Sequence, residues 1–188
     1  MMISAVFDAC VLYPAPLRDF LLRIAFAGFI QPFWSDEIQN EWTHSLLRKH
    51  TNLMQEKLER TRREMDFHFP NGSVRGYESI VPKLELPDPK DRHVLAVAIH
   101  GKAKYIVTFN LADFPKSALA PYQVEAISPD DFILLVIEYN TTTFIETIAR
   151  HRAVLKHPPK TADEYLATLE KQRLPKTVAF LREHKGEI

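Results

Sequence analysis

Two short apolar runs constrain this chain more than any other feature. Residues 3–7 read ISAVF and stop at Asp8; residues 104–108 read KYIVT. Near-continuous apolar runs of this length, rich in β-branched and aromatic side chains, mark strands buried on both faces, as in a parallel sheet. Residues 124–127 offer a third such strand. Parallel strands need long crossovers, and the chain between the runs carries helical patterns. The expected fold is therefore an α/β sandwich around a mostly parallel sheet.

The helical patterns are specific. After Pro14 and Pro16, Leu17, Leu21, Ile24 and Gly28 fall on one face, with Asp19 and Arg23 as an exposed pair. Ser35 suits a helix cap, with Asp36 and Glu37 in the first turn and Ile38, Trp42 and Ser45 on one face. Residues 51–66 predict a third helix with Met54, Leu58, Thr61 and Met65 buried, and with Glu56–Arg60 and Glu59–Arg63 paired outside. Asn71-Gly72 signals a turn. A further helix begins after Asp88, runs through Val94, Leu95, Ala98 and Ile99, and is expected to stop at Gly101. From Ser128 onward only helices are predicted, with a capping box at Thr161 and Glu164 and a joint at His157-Pro158-Pro159. This gives residues 1–130 as an α/β domain and residues 131–188 as a helical C-terminal extension.

Composition narrows the functional classes. The 188 residues are 46% hydrophobic and 26% charged, with 24 basic and 24 acidic side chains, so no strongly basic nucleic-acid binder is announced. A local basic face remains compatible with zero net charge. One cysteine, Cys10, excludes an internal disulfide framework and a multi-cysteine zinc site. The N-terminal MMISAVFDA carries no secretory pattern and no apolar stretch approaches a membrane span, so a cytoplasmic protein without membrane contact is expected.

Acidic residues stand at the positions that matter. Asp8 ends the first strand, and in open α/β sheets ligands bind at the carboxyl ends of strands. Thr108, Asn110 and Asp113 follow the second strand. In PDPKDRHVLAVA, Asp88 and Asp91 are nearly one helical turn apart, and two readings compete for them. Asp-Pro-Lys-Asp is a helix start, with Asp88 as cap and Asp91 favoured by the helix dipole. The stretch Ser128-Pro129-Asp130-Asp131 has the same format with no chemistry nearby. Alternatively, Asp91 faces Asp8. Glu41 reads either as a solvated helix residue or, beside Ile38 and Trp42, as one at the edge of the buried face, and Asp113 reads equally as the cap of a turn before Phe114-Pro115.

The ordered set of strand-Asp8, Ser35…Glu41, Asp91-x-x-Val-Leu-Ala-x-Ala and Val-Thr108-x-Asn110-x-x-Asp113-Phe resembles the PIN domain, specifically the PIN-domain ribonucleases of VapC-type bacterial toxin–antitoxin pairs. The resemblance covers residues 1 to about 130. It implies a three-layer α/β/α sandwich and a metal-dependent endoribonuclease. It assigns Asp8, Glu41, Asp91 and Asp113 as catalytic acids, with Asp8, Asp91 and Asp113 as metal ligands. Glu41 acts through water or orients the attacking water. Thr108 and Asn110 give polar support, and Asp88 is a cap or an outer supporting group. Cys10 departs from the pattern, which often has Asn or Ser at that place. The resemblance also implies an RNA substrate and a protein antitoxin, and allows a homodimer.

Carboxylates suit Mg2+, with Mn2+ as the alternative, because hard cations prefer oxygen. No HExxH pair supports zinc. Arg48, Lys49, Arg60 and Arg63 are candidates for contact with the RNA backbone, with His50, Lys57 and Arg62 nearby in sequence; the alternative is a set of solvated helix charges. Phe67 and Phe69 are expected in packing rather than base stacking. Two competing functions are a catalytically silent RNA- or protein-binding module and an aspartate-nucleophile phosphatase. The phosphatase wants a second aspartate at position 10, where Cys10 stands.

Overall fold

The computed structural model describes residues 2–50, 54–156 and 158–188. Four strands, β1 (Ile3–Phe7), β2 (Ile30–Phe33), β3 (Tyr105–Val107) and β4 (Glu125–Ile127), form one sheet in the order β2-β1-β3-β4, and every pairing is parallel. Helices α1 (Ala9–Leu12) and α2 (Ala15–Phe26) connect β1 to β2. Helices α3 (Asp36–Lys49), α4 (Gln55–His68) and α5 (Arg92–Gly101) connect β2 to β3, and α6 (Lys116–Leu119) precedes β4. The first crossover steps to one side of β1 and the second steps back past it. Right-handed connections of opposite direction put their helices on opposite faces, which makes the α/β/α sandwich.

The strand β2 escapes sequence reading because its four residues, IQPF, include Pro32. Proline is tolerated on an edge strand, and β2 is an edge. Gly28, expected to continue the α2 stripe, instead lies beyond the helix at φ +88°, turning the chain toward β2. Farther on, Gly72 packs against Trp34: a Cβ there would meet the indole and the Phe69 carbonyl at 3.0 Å.

Other boundaries also differ. The predicted helix over 51–66 is α4, displaced toward the C-terminus; residues 51–53 lie outside the described residues. Leu58 and Met65 are buried as expected, but Met54 is exposed. Arg60 pairs with Glu64 at 2.9 Å rather than Glu56, and Glu59 accepts from Gln55 rather than pairing with Arg63. Phe67 is 81% exposed and not in packing, whereas Phe69 meets Trp34 edge-on. Gly101 is still helical; the left-handed residue that ends α5 is Lys102, at φ +55°. Gly101 is tight instead because Val74 and Phe33 pack over it.

After β4 the chain is helical: α7 (Pro129–Tyr139), α8 (Thr141–Val154), α9 (Ala162–Glu170) and α10 (Pro175–Glu183). The predicted capping box at Thr161 and Glu164 is present. The predicted joint includes His157, which lies outside the described residues. These helices share the core of the sheet domain. Phe132 of α7 meets Phe7 and Tyr105 on the sheet, and Phe144 of α8 meets Phe29. Ser128 caps α7 as predicted, but Asp130 does more. It is 6% exposed and accepts from the backbone N–H groups of Lys176 and Thr177, both at 2.9 Å, and from the Thr177 hydroxyl at 2.8 Å. A buried carboxylate needs such partners, and here they are the first turn of α10. His151 adds a second tie, with Nε2 2.7 Å from Asp19 of α2 and Nδ1 2.9 Å from Tyr165 of α9. Among the described residues, no single helix is long and apolar enough to cross a membrane.

Candidate active site

Asp8 stands one residue beyond β1, at the carboxyl edge of the sheet, and is 7% exposed. Its oxygens are held from three sides. Oδ1 accepts from the Ala9 amide at 2.6 Å, capping α1, and Oδ2 accepts from the Thr108 hydroxyl at 2.6 Å and from the Cys10 thiol at 3.1 Å. The neighbouring strands explain the convergence: Phe7 pairs with Val107, so the next residues, Asp8 and Thr108, leave the sheet side by side. The Thr108 hydroxyl also accepts from the Asn110 amide at 3.0 Å. Asn110 thus supports the site through its backbone; its side chain is exposed and makes no cap bond.

Cys10 completes this cradle. Its sulfur accepts from the Phe109 amide at 3.3 Å and lies 3.4 Å from the Thr108 hydroxyl. Burial, aided by the Asp8 charge, pushes the thiol up to about 12. It therefore keeps its proton and donates it to Asp8. The hydrogen-bonding role of the third motif position is filled by sulfur.

Asp91 reaches the cluster from another direction. Residues Pro89–Asp91 form a 3-10 turn before α5, capped by Asp88, which accepts from the Lys90 amide at 2.9 Å. The predicted single helix start is thus split: Asp88 caps the 3-10 turn rather than α5. Asp91 sits at the head of α5 and its carboxylate makes no cap bond. Partial burial, then the charges of Asp8, Asp113 and Asp88, push the Asp91 carboxyl up to about 6. Asp113 lies in a second 3-10 turn after β3 and is half-buried. Asp8, Asp91 and Asp113 therefore share one field of like charge, with Asp88 on its flank.

Glu41 joins through a residue that the sequence did not single out. His93 of α5 is 3% exposed; its Nε2 is 3.0 Å from Glu41 Oε1, and its Nδ1 is 3.7 Å from Glu37 Oε2. A carboxylate only accepts, so Nε2 carries the proton. Burial pulls the imidazole down, but the Glu41 hydrogen bond and the charges of Glu41, Glu37 and Asp8 outweigh it and raise it above 6.5. The signal for His93 was a polar residue within an otherwise apolar buried row. Beyond Glu41, the exposed face of α3 forms a hollow of about 560 Å³ bordered by Asn40, His44, Ser45 and Arg48.

Arg48 borders that hollow, Lys49 lies 5.9 Å from the Tyr13 ring, and Arg60 and Arg63 are exposed on α4.

A divalent cation fits the chemistry of the acidic set. Asp8, Asp113 and Asp88 raise the proton affinity of the Asp91 carboxyl, and a cation with oxygen preference relieves such crowding. Among the described residues, no three His, Cys, Asp or Glu side chains stand close enough to cage an ion alone.

The family model described as PIN domain matches residues 4–112, more than half of the chain. The chain belongs to the PIN domain family. A second family model, the VapC50 C-terminal domain, matches residues 129–183, which span α7 to α10. One curated relative, named "Putative ribonuclease VapC50", from Mycobacterium tuberculosis (strain ATCC 25618 / H37Rv), is 46% identical over 69 residues. That stretch is 35% of this chain and 40% of the relative, so the match spans about two-fifths of the relative's length. No solved structure matches. The helices after β4, for which the motifs offered no guide, thus accompany a PIN domain as a recognised unit.

Proposed function

We propose that this PIN domain protein is a divalent-metal-dependent endoribonuclease, the toxin of a toxin–antitoxin pair that works in the cytoplasm. One observation carries the reading: Asp8, fixed at the joined ends of β1 and β3, shares its field with Asp91 and Asp113. The name of the relative supports RNA as the substrate.

In this reading Asp8 and Asp91 hold Mg2+ or Mn2+ directly, and Asp113 does so directly or through water. A bound ion of this kind acidifies a water and offsets charge on the phosphate. The chain does the positioning. Thr108, Cys10 and the Ala9 amide fix the Asp8 carboxylate, so it presents one orientation. Glu41 orients the attacking water, and His93 orients Glu41. Asp88 holds the turn that aims Asp91. The protein partners in this proposal are an antitoxin and a second copy of the chain.

The test is purified protein incubated with a total-RNA pool in Mg2+, Mn2+ or EDTA, with Asp8→Asn as control and the cleavage ends mapped. Cleavage with either ion, lost in EDTA and in Asp8→Asn, is expected. RNA binding with no cleavage would support the silent binding module. The phosphatase is disfavoured by the structure, because position 10 offers a thiol already engaged with Asp8 and the Phe109 amide.

A further inference from the structure

The turn between α9 and α10 brings a cation from the C-terminal extension to the loop after β3. The guanidinium of Arg173 lies over the Phe109 ring, 4.5 Å from its centroid. Phe109 stands between Thr108 and Asn110, and its amide holds the Cys10 sulfur. We propose that Arg173 is a phosphate-binding residue, gripping the backbone of single-stranded RNA beside the acidic cluster. The proposal rests on the ribonuclease reading.

An acidic site repels the polyanion it must receive, so cations must offset the phosphates nearby. Several other cations of the extension are already paired with carboxylates. Arg182 pairs with Glu170 at 3.2 Å, Lys185 with Asp163 at 2.7 Å, and Lys176 with Asp131. Arg173 has no carboxylate partner among the described residues. The contact with Phe109 engages the guanidinium through the ring, and among the described residues no hydrogen bond takes its N–H donors, which can fork onto a phosphate.

The position is fixed from behind. The Arg173 amide donates to the Glu170 carbonyl at 3.0 Å, Leu174 is fully buried, and Asp130 grips the start of α10. Arg173 has φ +63°, a conformation that favours glycine after a helix. Lys102 and Gln123 share that conformation, so the backbone alone does not single out Arg173. The stack on the catalytic loop does.

The test uses the full chain in an Asp91→Asn background, with a labelled single-stranded RNA of about 12 nucleotides, titrated at several salt concentrations. Arg173→Ala is expected to weaken binding about tenfold and to flatten the salt dependence by about 0.7 in log–log slope, the loss of one phosphate contact. Arg173→Lys keeps the slope with weaker binding, and Arg182→Ala changes neither. In otherwise wild-type protein, Arg173→Ala raises KM and leaves kcat within about twofold. Unchanged affinity and slope in Arg173→Ala, or a lower kcat with RNA affinity intact, overturns the proposal. If wild type binds RNA but cuts none, the ribonuclease reading fails while the binding titration still decides on Arg173. If wild type does not bind RNA, both fail.

Discussion

The Thr108 hydroxyl stands 2.6 Å from Asp8 Oδ2, so one hydrogen bond joins the ends of the two central strands. It fixes the carboxylate by a group that is itself fully buried. Thr108→Val keeps the shape and removes the donor. On the proposed ribonuclease reading, kcat/KM for RNA cleavage is expected to fall about 10- to 100-fold, the usual cost where a hydrogen-bond partner of a metal-binding carboxylate is lost. Steady-state cleavage assays at saturating Mg2+ check this, with circular dichroism confirming the fold.

Cys10 donates to the same oxygen and accepts from Phe109. A serine can do both. Cys10→Ser should keep activity within about threefold, whereas Cys10→Ala should lose about tenfold or more. Equal activity in the two variants would show that the thiol only fills space.

Asp91 predicts a pH dependence of stability. Its folded-state carboxyl is held up at about 6 against an ordinary 3.8. The native state therefore binds this proton more tightly than the unfolded state. The contribution is fully present below about 3.8 and is lost as pH rises through about 6. Metal-free protein should melt at a lower temperature as pH rises across that window, and Asp91→Asn should flatten the decline. His93, also raised, acts with the same sign above its ordinary 6.5, outside the window. Excess Mg2+ at neutral pH should raise the melting temperature of wild type more than that of Asp91→Asn. Melts in EDTA and in Mg2+ read both effects.

Glu41 and His93 should behave as a unit. With His93 buried and 3.0 Å from Glu41, changing either breaks the same contact. Glu41→Gln and His93→Gln should each lower kcat, and the double variant should be little worse than the poorer single one. Additive losses would separate their roles.

Asp130 is a point where the extension is vulnerable to mutation. Asp130→Ala removes three hydrogen bonds to the first turn of α10 and leaves buried donors without partners. A loss of about 2–3 kcal/mol is expected, read from urea unfolding. Amide exchange in α10 should accelerate before that in β1.

Sequence reading found what local rules control. β1 and β3 were legible because apolar runs buried on both faces look alike wherever they occur, and Asp8 and Thr108 were legible because they end those runs. Asp91 could be placed near them only as one of two readings, since a carboxylate in a first helical turn looks the same whether it only meets the helix dipole or also faces another acid. Asp88 holds the cap in either case, and what the structure adds is that the charges of Asp8 and Asp113 act on the Asp91 carboxyl. Other features depend on distant chain. Ser128-Pro129-Asp130-Asp131 looked like a plain cap because the groups that bind Asp130 lie 46 and 47 residues later. His93 was hidden in a helical stripe that only the neighbouring α3 makes polar. Arg173 had no motif at all; its position comes from how α9 and α10 seat on the domain.

The packing of Phe132 against Phe7 and Tyr105 has an evolutionary consequence. The join between the two matched families, 4–112 and 129–183, does not follow a seam in the protein. A recombination at that join would transplant half of a shared interior, and the recipient sheet would be left with an uncovered face. The two parts match separate families yet share one interior, so a change of side-chain volume at Phe7, Tyr105 or Phe132 is felt on both sides of residue 128.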